Sequence, residues 1–226
     1  RSQNWIGGTR PGNAVFVPPP PERIMECMGA LEKFLHDQPQ KTPVLLKAAL
    51  AHVQFETIHP FLDGNGRVGR LMITLMLCAE GVLSAPLLYL SLYFKSHRQD
   101  YYNLLSSIRD TGDWETWIEF FMEAVKETAE QALETVKAIT DMVNDHRQKI
   151  EALGKPALTA LQIQKAMLQR PYMSIAKAAE MSETSFPAAS GAIKHLESIG
   201  MVREITGKSR NRIYVYKQYL DILNQG

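Results

Sequence analysis

Cysteine is scarce in this chain: two residues in 226, Cys27 and Cys78, with no CxxC pair and no Cys/His cluster. That excludes a disulfide framework or a thiolate zinc site and fits a reducing compartment, with both thiols packed as small hydrophobes. A long hydrophobic run is missing too. The longest, around Leu71 to Leu77, ends at Glu80 and is too short to span a bilayer, so no membrane association is expected. Neither sign of charge is in excess. The net charge of +1 gives no whole-chain electrostatic reason to bind nucleic acid or a membrane surface. These residues show no signal-peptide pattern, no internal repeat and no low-complexity tract beyond Pro18–Pro21, and the expected location is cytoplasmic. The chain begins with Arg1 rather than Met, as a fragment or trimmed product does.

What is present describes an ordinary globular protein, with 45% hydrophobic and 22% charged residues and enough length for one large domain or two ordinary ones. Helical spacing dominates. Ile24, Met28, Leu31 and Leu35 mark one apolar stripe, and Leu45, Leu46, Ala49, Val53 and Ile58 mark a second. Val68, Leu71, Leu75 and Ala79 predict a third helix with that stripe inward, ending at Gly81. Tyr101, Leu104, Leu105 and Ile108 predict a fourth, and Trp114 to Val143 a long fifth. The stretch "SQNWIGGTRPGNAVFVPPP" differs, with Gly7-Gly8, Pro11-Gly12 and β-formers on both sides, and it reads as a hairpin. Composition shifts near Gly154-Lys155-Pro156. The chain nets −3 up to that point and +4 after it, which predicts domains at 1–153 and 157–226.

The stretch "HPFLDGNGRVGR", His59 to Arg70, concentrates chemistry. Gly64-Asn65-Gly66 before a helical stripe places a glycine-rich turn at a helix N-terminus, where unpaired N–H groups and the helix dipole favour an anion. Arg67 and Arg70, three apart, share a face and can grip phosphate oxygens as a fork. Asp63 is an oxygen ligand of the kind Mg²⁺ takes together with phosphates. His59 is an imidazole placed to accept a proton from an incoming hydroxyl. A phosphate cradle, a metal ligand and a base together point to phosphoryl or nucleotidyl transfer.

The run resembles the Fic family signature, His-x-Phe-x-Asp/Glu-Gly-Asn-Gly-Arg-x-x-Arg, at every specified position. The likeness covers about Ser2 to Lys149 and includes "SQNWIGGTRPGNAVFVPPPP", similar to the family's target-binding flap, and "AHVQFETIHPF", similar to the helix leading into the motif. The resemblance implies a transferase that moves AMP from ATP to a Tyr, Thr or Ser hydroxyl of a target protein, releasing pyrophosphate. It implies His59 as general base, Phe61 as a core anchor of the loop, and Asp63 as the Mg²⁺ ligand. Gly64, Asn65 and Gly66 would form the anion nest, Arg67 and Arg70 would hold the β- and γ-phosphates, and Val68 and Gly69 lie in the same nucleotide-binding run. Tyr101 and Tyr102 would lie beside the nucleoside, though as core aromatics they fit equally well. Arg109 replaces a polar residue that touches the adenosine in some relatives. Trp5, Ile6, Gly7 and Gly8 would pair with an extended target segment; Trp5 reads equally as a plug under the hairpin. The family's inhibitory pattern, Ser/Thr-x-x-x-Glu-Gly/Asn, is not in these residues, since Met76 precedes Glu80-Gly81 in the Ser/Thr place. It is expected before Arg1, with restraint acting through Arg70.

The C-terminal part reads separately. A helix from Ser174, a turn at Ser182 to Ser185, a second helix to Ser198 and a strand Ile213 to Tyr216 resemble a winged helix. Lys194, His195, Lys208, Arg210 and Arg212 would face DNA, with Ser185 and Ser190 beside them; a protein-interaction module fits the same pattern. The expected architecture is therefore mainly α: a helical bundle with a β-hairpin flap, joined to a small α+β winged-helix domain. Two functions stand: an ATP- and Mg²⁺-dependent protein adenylyltransferase, or a DNA-binding regulator whose first domain senses nucleotide. Within the enzyme class, transfer of a different nucleotide remains open. Expected partners are a hydroxyl-bearing target protein, DNA, and a second copy of the chain.

Overall fold

The structure is a computed structural model that describes residues 2–36, 40–86 and 88–224. Two compact units divide it, 1–130 and 131–226. The first holds helices α1 (Ile24–Leu35), α2 (Val44–Ile58), α3 (Asn65–Ala79), α4 (Leu90–Ser96) and α5 (Arg98–Thr111) with the start of α6 (Trp114–Glu151). α2 is the central element. Ala48, Ala49 and Val53 enter one apolar cluster with Ile73 and Leu77 of α3, Phe94, Leu105, Trp117 and Phe121. Ala51, Phe55 and Ile58 enter another with Ile24 and Leu31 of α1. A helix buried on both faces has little amphipathic contrast, and its alanines let neighbours approach closely. The buried Trp117 indole donates to the Ala49 carbonyl at 3.1 Å, so a large apolar ring enters the core without an orphan N–H.

The α3 stripe faces outward, contrary to expectation. Val68, Leu71 and Leu75 are 40%, 55% and 56% exposed, and the buried residues are Asn65, Gly69, Ile73 and Leu77. The N-terminal hairpin closes through one bridge, Ile6 to Phe16, around a turn at Gly7-Gly8 and a single 3₁₀ turn, Pro11–Asn13.

The second unit combines the rest of α6 with α7 (Ala157–Gln169), α8 (Ile175–Met181), α9 (Phe186–Ser198) and α10 (Lys217–Leu223). Its antiparallel sheet has the order β1 (Tyr172–Ser174), β3 (Ile213–Val215), β2 (Arg203–Glu204), with Met173 opposite Tyr214 and Arg203 opposite Val215. Ser174 caps α8 and Ser185 caps α9, each accepting from the N–H three residues on. Met142 and Ile150 pack with Ile163, Ile193, Leu196 and Tyr216, which is why the later part of α6 belongs to this unit. Within that core His146 Nδ1 lies 2.7 Å from the Tyr216 hydroxyl.

Candidate active site

His59 caps the C-terminus of α2 in the left-handed region, φ 48° and ψ 59°, with its N–H on the Phe55 carbonyl at 2.9 Å. Glycine is the usual occupant of such a cap, and an L-residue there costs about 1 kcal/mol. The following loop is held by two asparagines. Buried Asn65, the first residue of α3, accepts from the Phe61 N–H at 2.9 Å and donates to the Phe61 carbonyl at 2.7 Å. Asn4, also buried, donates to the same carbonyl at 2.9 Å and ties the base of the hairpin to the loop. The Phe61 ring is 49% exposed, so its backbone anchors the loop; the expectation of a core ring is corrected. Gly64 precedes α3 as its N-cap at φ 86°, a conformation that only glycine adopts without strain. The Arg67 and Val68 N–H groups bond to the Gly64 carbonyl at 3.1 and 3.0 Å, which leaves those of Asn65 and Gly66 as the helix-end donors without an intrahelical acceptor.

Asp63 and Arg67 are exposed and paired at 3.1 Å. Arg70 turns instead toward a cavity of about 270 Å³ lined also by Tyr89, Lys95, Arg98, Tyr101 and Tyr102. The two arginines therefore serve different sides of the helix end, Arg67 at the carboxylate and Arg70 at the cavity. Tyr102 is half exposed beneath the Arg98 guanidinium, 5.6 Å from its ring centre. Tyr101 is buried, and its hydroxyl lies 2.9 Å from His52 Nε2. The His52 ring lies against both Phe94 and Trp117, with ring centres 5.9 and 6.0 Å away, and burial holds its pKa down to about 4.

Glu56, one turn before His59, is the buried acid of the site. Its Oε2 lies 3.8 Å from His59 Nδ1, with 8% of its side chain and 17% of the His59 side chain exposed. Burial pushes it up to about 7, against the pull of Arg70 and then Arg109. A Cβ built at Gly69 would lie 2.8 Å from Glu56 Oε1 and 3.2 Å from the His52 ring, so α3 approaches α2 closely only because this position lacks a side chain. Arg109 donates to the Glu56 carbonyl at 3.2 Å and covers the Phe16 ring at 3.9 Å, joining α2, α5 and the hairpin. Burial holds its pKa below the ordinary arginine value.

Ile6 pairs with Phe16, while Trp5 is 38% exposed rather than packed under the turn. Gly7 and Gly8 form the exposed tip. Among the described residues, no three His, Cys, Asp or Glu side chains gather to hold a metal, and no helix is long and apolar enough to cross a membrane. In the second unit Lys194, His195, Lys208, Arg210 and Arg212 are exposed, and Arg212 Nε donates to the Lys208 carbonyl at 2.7 Å. Reading the residues missed Asn4, Glu56, Lys95 and Arg98. Glu56 carried a signal, for it falls three after Val53 on the buried face of α2, where an unpaired acid is rare.

A histidine in the left-handed region thus stands on one side of a loop-to-helix joint, and two arginines stand at the helix end on the other. Residues 1–77 match the Fic/DOC family. A sequence described as a "Probable protein adenylyltransferase" from Aquifex aeolicus is 38% identical over 71 residues, covering 31% of this chain and 22% of that relative. Protein adenylyltransferase Fic of Drosophila yakuba is 32% identical over 130 residues, covering 57% of this chain and 23% of that relative. The chain thus spans less than a quarter of the length of these curated relatives. The crystal structure of a Fic family protein from Desulfovibrio desulfuricans superposes with a TM-score of 0.52 at 23% identity, covering 95% of this chain and 60% of that one, and it shares the fold.

Proposed function

We propose that this chain transfers AMP from ATP to a Tyr, Thr or Ser hydroxyl of a target protein and releases pyrophosphate. The carrying observation is the joint from His59 to Arg70, which sets an imidazole, the N-terminus of α3 and the cavity-facing Arg70 together within a segment that matches the Fic/DOC family. His59 takes the hydroxyl proton on Nε2, the hydroxyl oxygen bonds to the α-phosphorus, and the bond to the bridging oxygen breaks as pyrophosphate leaves. Arg70, Arg67 and the first N–H groups of α3 hold the phosphate charge, which is where most of the barrier reduction in such a reaction arises. Tyr102 and the cations Lys95 and Arg98 line the nucleotide side of the cavity. Trp5 and Ile6, with the Gly7-Gly8 turn at their end, present the hairpin edge to the target.

Asp63, exposed beside the helix end, suits Mg²⁺, a cation satisfied by one carboxylate and phosphate oxygens. Bound there, the ion supplies charge neutralisation at the phosphates; Asp63 holds it and Arg67 steadies Asp63.

The test is labelling from ATP carrying a radiolabel on its α-phosphate, with mass spectrometry for an added AMP, in the chain and its His59→Ala variant. Label on the parent and none on the variant, with ATP affinity kept, is expected. No label with intact ATP binding, across a proteome of targets and all four nucleoside triphosphates, replaces transfer with a nucleotide-sensing regulator. A second observation favours nucleic acid at the other unit: the order helix, strand, two capped helices and two strands joined by a turn supports the winged-helix reading, with Lys194, Lys208, Arg210 and Arg212 exposed.

A further inference from the structure

The transfer just described leaves Glu56 without a task, yet the site is shaped around it. Its Oε2 is 3.8 Å from His59 Nδ1, longer than a hydrogen bond and within ion-pair range, and its Oε1 is buried with no hydrogen-bond partner among the described residues. On the opposite side α3 makes room: a Cβ would lie 2.8 Å from that Oε1 at Gly69 and 3.7 Å from it at Gly66. Packing alone does not call for an acid here, because a glutamine has the same shape and avoids burying a charge.

We propose that Glu56 and His59 form a carboxylate–imidazole pair, in which Glu56 holds the ring by its Nδ1 edge with Nε2 toward the target hydroxyl and stabilises the imidazolium formed when Nε2 takes the proton. Glu56 touches no reacting atom, so it is a positioning residue, and the proposal rests on His59 being the base of the transfer above. The neutral ring carries its hydrogen on Nδ1, facing the carboxylate, and presents Nε2 as the accepting nitrogen. When the hydroxyl proton arrives, the new positive charge lies beside an anion in a site of low polarity, where the attraction is strong.

The groups that face Glu56 are His59 from the loop, Arg70 from α3, Arg109 and Tyr101 from α5, and the His52 ring one turn back on α2. Since burial pushes Glu56 up to about 7, the working form, ionised Glu56 beside a neutral ring, is favoured above neutrality, and the first proton the pair takes up removes either the anion or the base.

The test follows the His59 ring nitrogens by NMR against pH in the wild type and in Glu56→Gln, the resonances assigned by their absence from His59→Ala. Two coupled steps are expected in the wild type, and a single step displaced downward by about one pH unit in the variant. Identical His59 titrations overturn the pair. In the transfer assay Glu56→Gln is expected to lower kcat about 10- to 100-fold while KM for ATP stays within about two-fold, with the acid limb of the pH profile displaced; an unchanged kcat overturns the proposal. A purely structural acid predicts a less stable variant, whereas the pair predicts Glu56→Gln at least as stable as wild type at pH 8. Should the glutamine variant not fold, Glu56→Asp keeps the charge at shorter reach and is expected to retain two weaker steps; loss of coupling without loss of transfer overturns the pair. Coupled titration in a wild type that transfers no AMP refutes the proposed reaction and leaves the pair standing.

Discussion

His52 and Glu56 lie one turn apart on α2 and titrate in opposite senses over the same range. The folded chain resists a proton on His52 until about pH 4, while an unfolded one accepts it near 6.5. Its contribution is therefore complete above 6.5 and is lost as pH falls toward 4. Glu56 is the reverse: the folded chain keeps a proton up to about pH 7 that an unfolded one releases near 4.5, so stability is lost as pH rises through that window. Each shift corresponds to about 3 kcal/mol, and the two nearly cancel. Relative to wild type, the unfolding free energy of Glu56→Gln is expected to rise by about 3 kcal/mol between pH 4.5 and 6.5 in urea titrations, because the variant keeps the His52 contribution and loses the opposing one. A wild type as steep as the variant would mean that Glu56 is ionised throughout. Gly69→Ala tests the same contact from the other helix. Its new methyl meets a buried carboxylate and the His52 ring, neither free to swing away, and a loss of about 1–3 kcal/mol in thermal stability is expected.

At the scale of elements, the loop between α2 and α3 is set by side-chain to backbone bonds more than by its apolar residues. Asn65→Ala removes both bonds to the Phe61 backbone and leaves a buried donor and acceptor exposed to loss, a cost of about 2–3 kcal/mol. AMP transfer should fall with it, since His59 and the helix end lose their spacing; a fully active variant would show that Pro60 and the helix caps suffice. Asn4→Ala cuts only the tie between hairpin and loop, so KM for the target protein should rise while ATP affinity holds. These bonds explain what could be read in advance. The helices were legible because apolar residues recur every three to four positions. The facing of α3 was not, because its buried row is Asn65, Gly69, Ile73 and Leu77, and two of those four carry no hydrophobic signal. Periodicity then favoured Val68, Leu71 and Leu75, which the structure leaves exposed. The motif's place at a loop-to-helix joint was legible from its glycines. The arrangement of Glu56, His52 and Tyr101 was not, for it depends on contacts between α2, α3 and α5 that no local spacing encodes.

At the scale of the whole molecule, a net charge of +1 conceals a separation: −3 up to Pro156 and +4 beyond it. The surplus cations concentrate in the second unit, where Lys208, Arg210 and Arg212 fall within five residues on the wing between β2 and β3. The wing turn is built to present them. Glu204 accepts from the Thr206 and Gly207 N–H groups and from the Thr206 hydroxyl, bonds that hold its carboxyl below the ordinary range, and so the wing's acid is spent on its own backbone. Arg212 Nε spends one donor on the Lys208 carbonyl and keeps its terminal nitrogens for a partner. If these side chains meet a phosphate backbone, about three contacts imply a slope near −3 for log K against log salt, and an affinity in the micromolar range at physiological salt. Fluorescence anisotropy of the full chain with a duplex of mixed sequence, from 50 to 300 mM salt, reads this directly. Lys208→Glu with Arg210→Glu should abolish the binding and leave AMP transfer unchanged, because neither residue belongs to the site in the first unit. A salt-independent affinity, or binding that survives the double charge reversal, would assign the second unit to a protein partner instead.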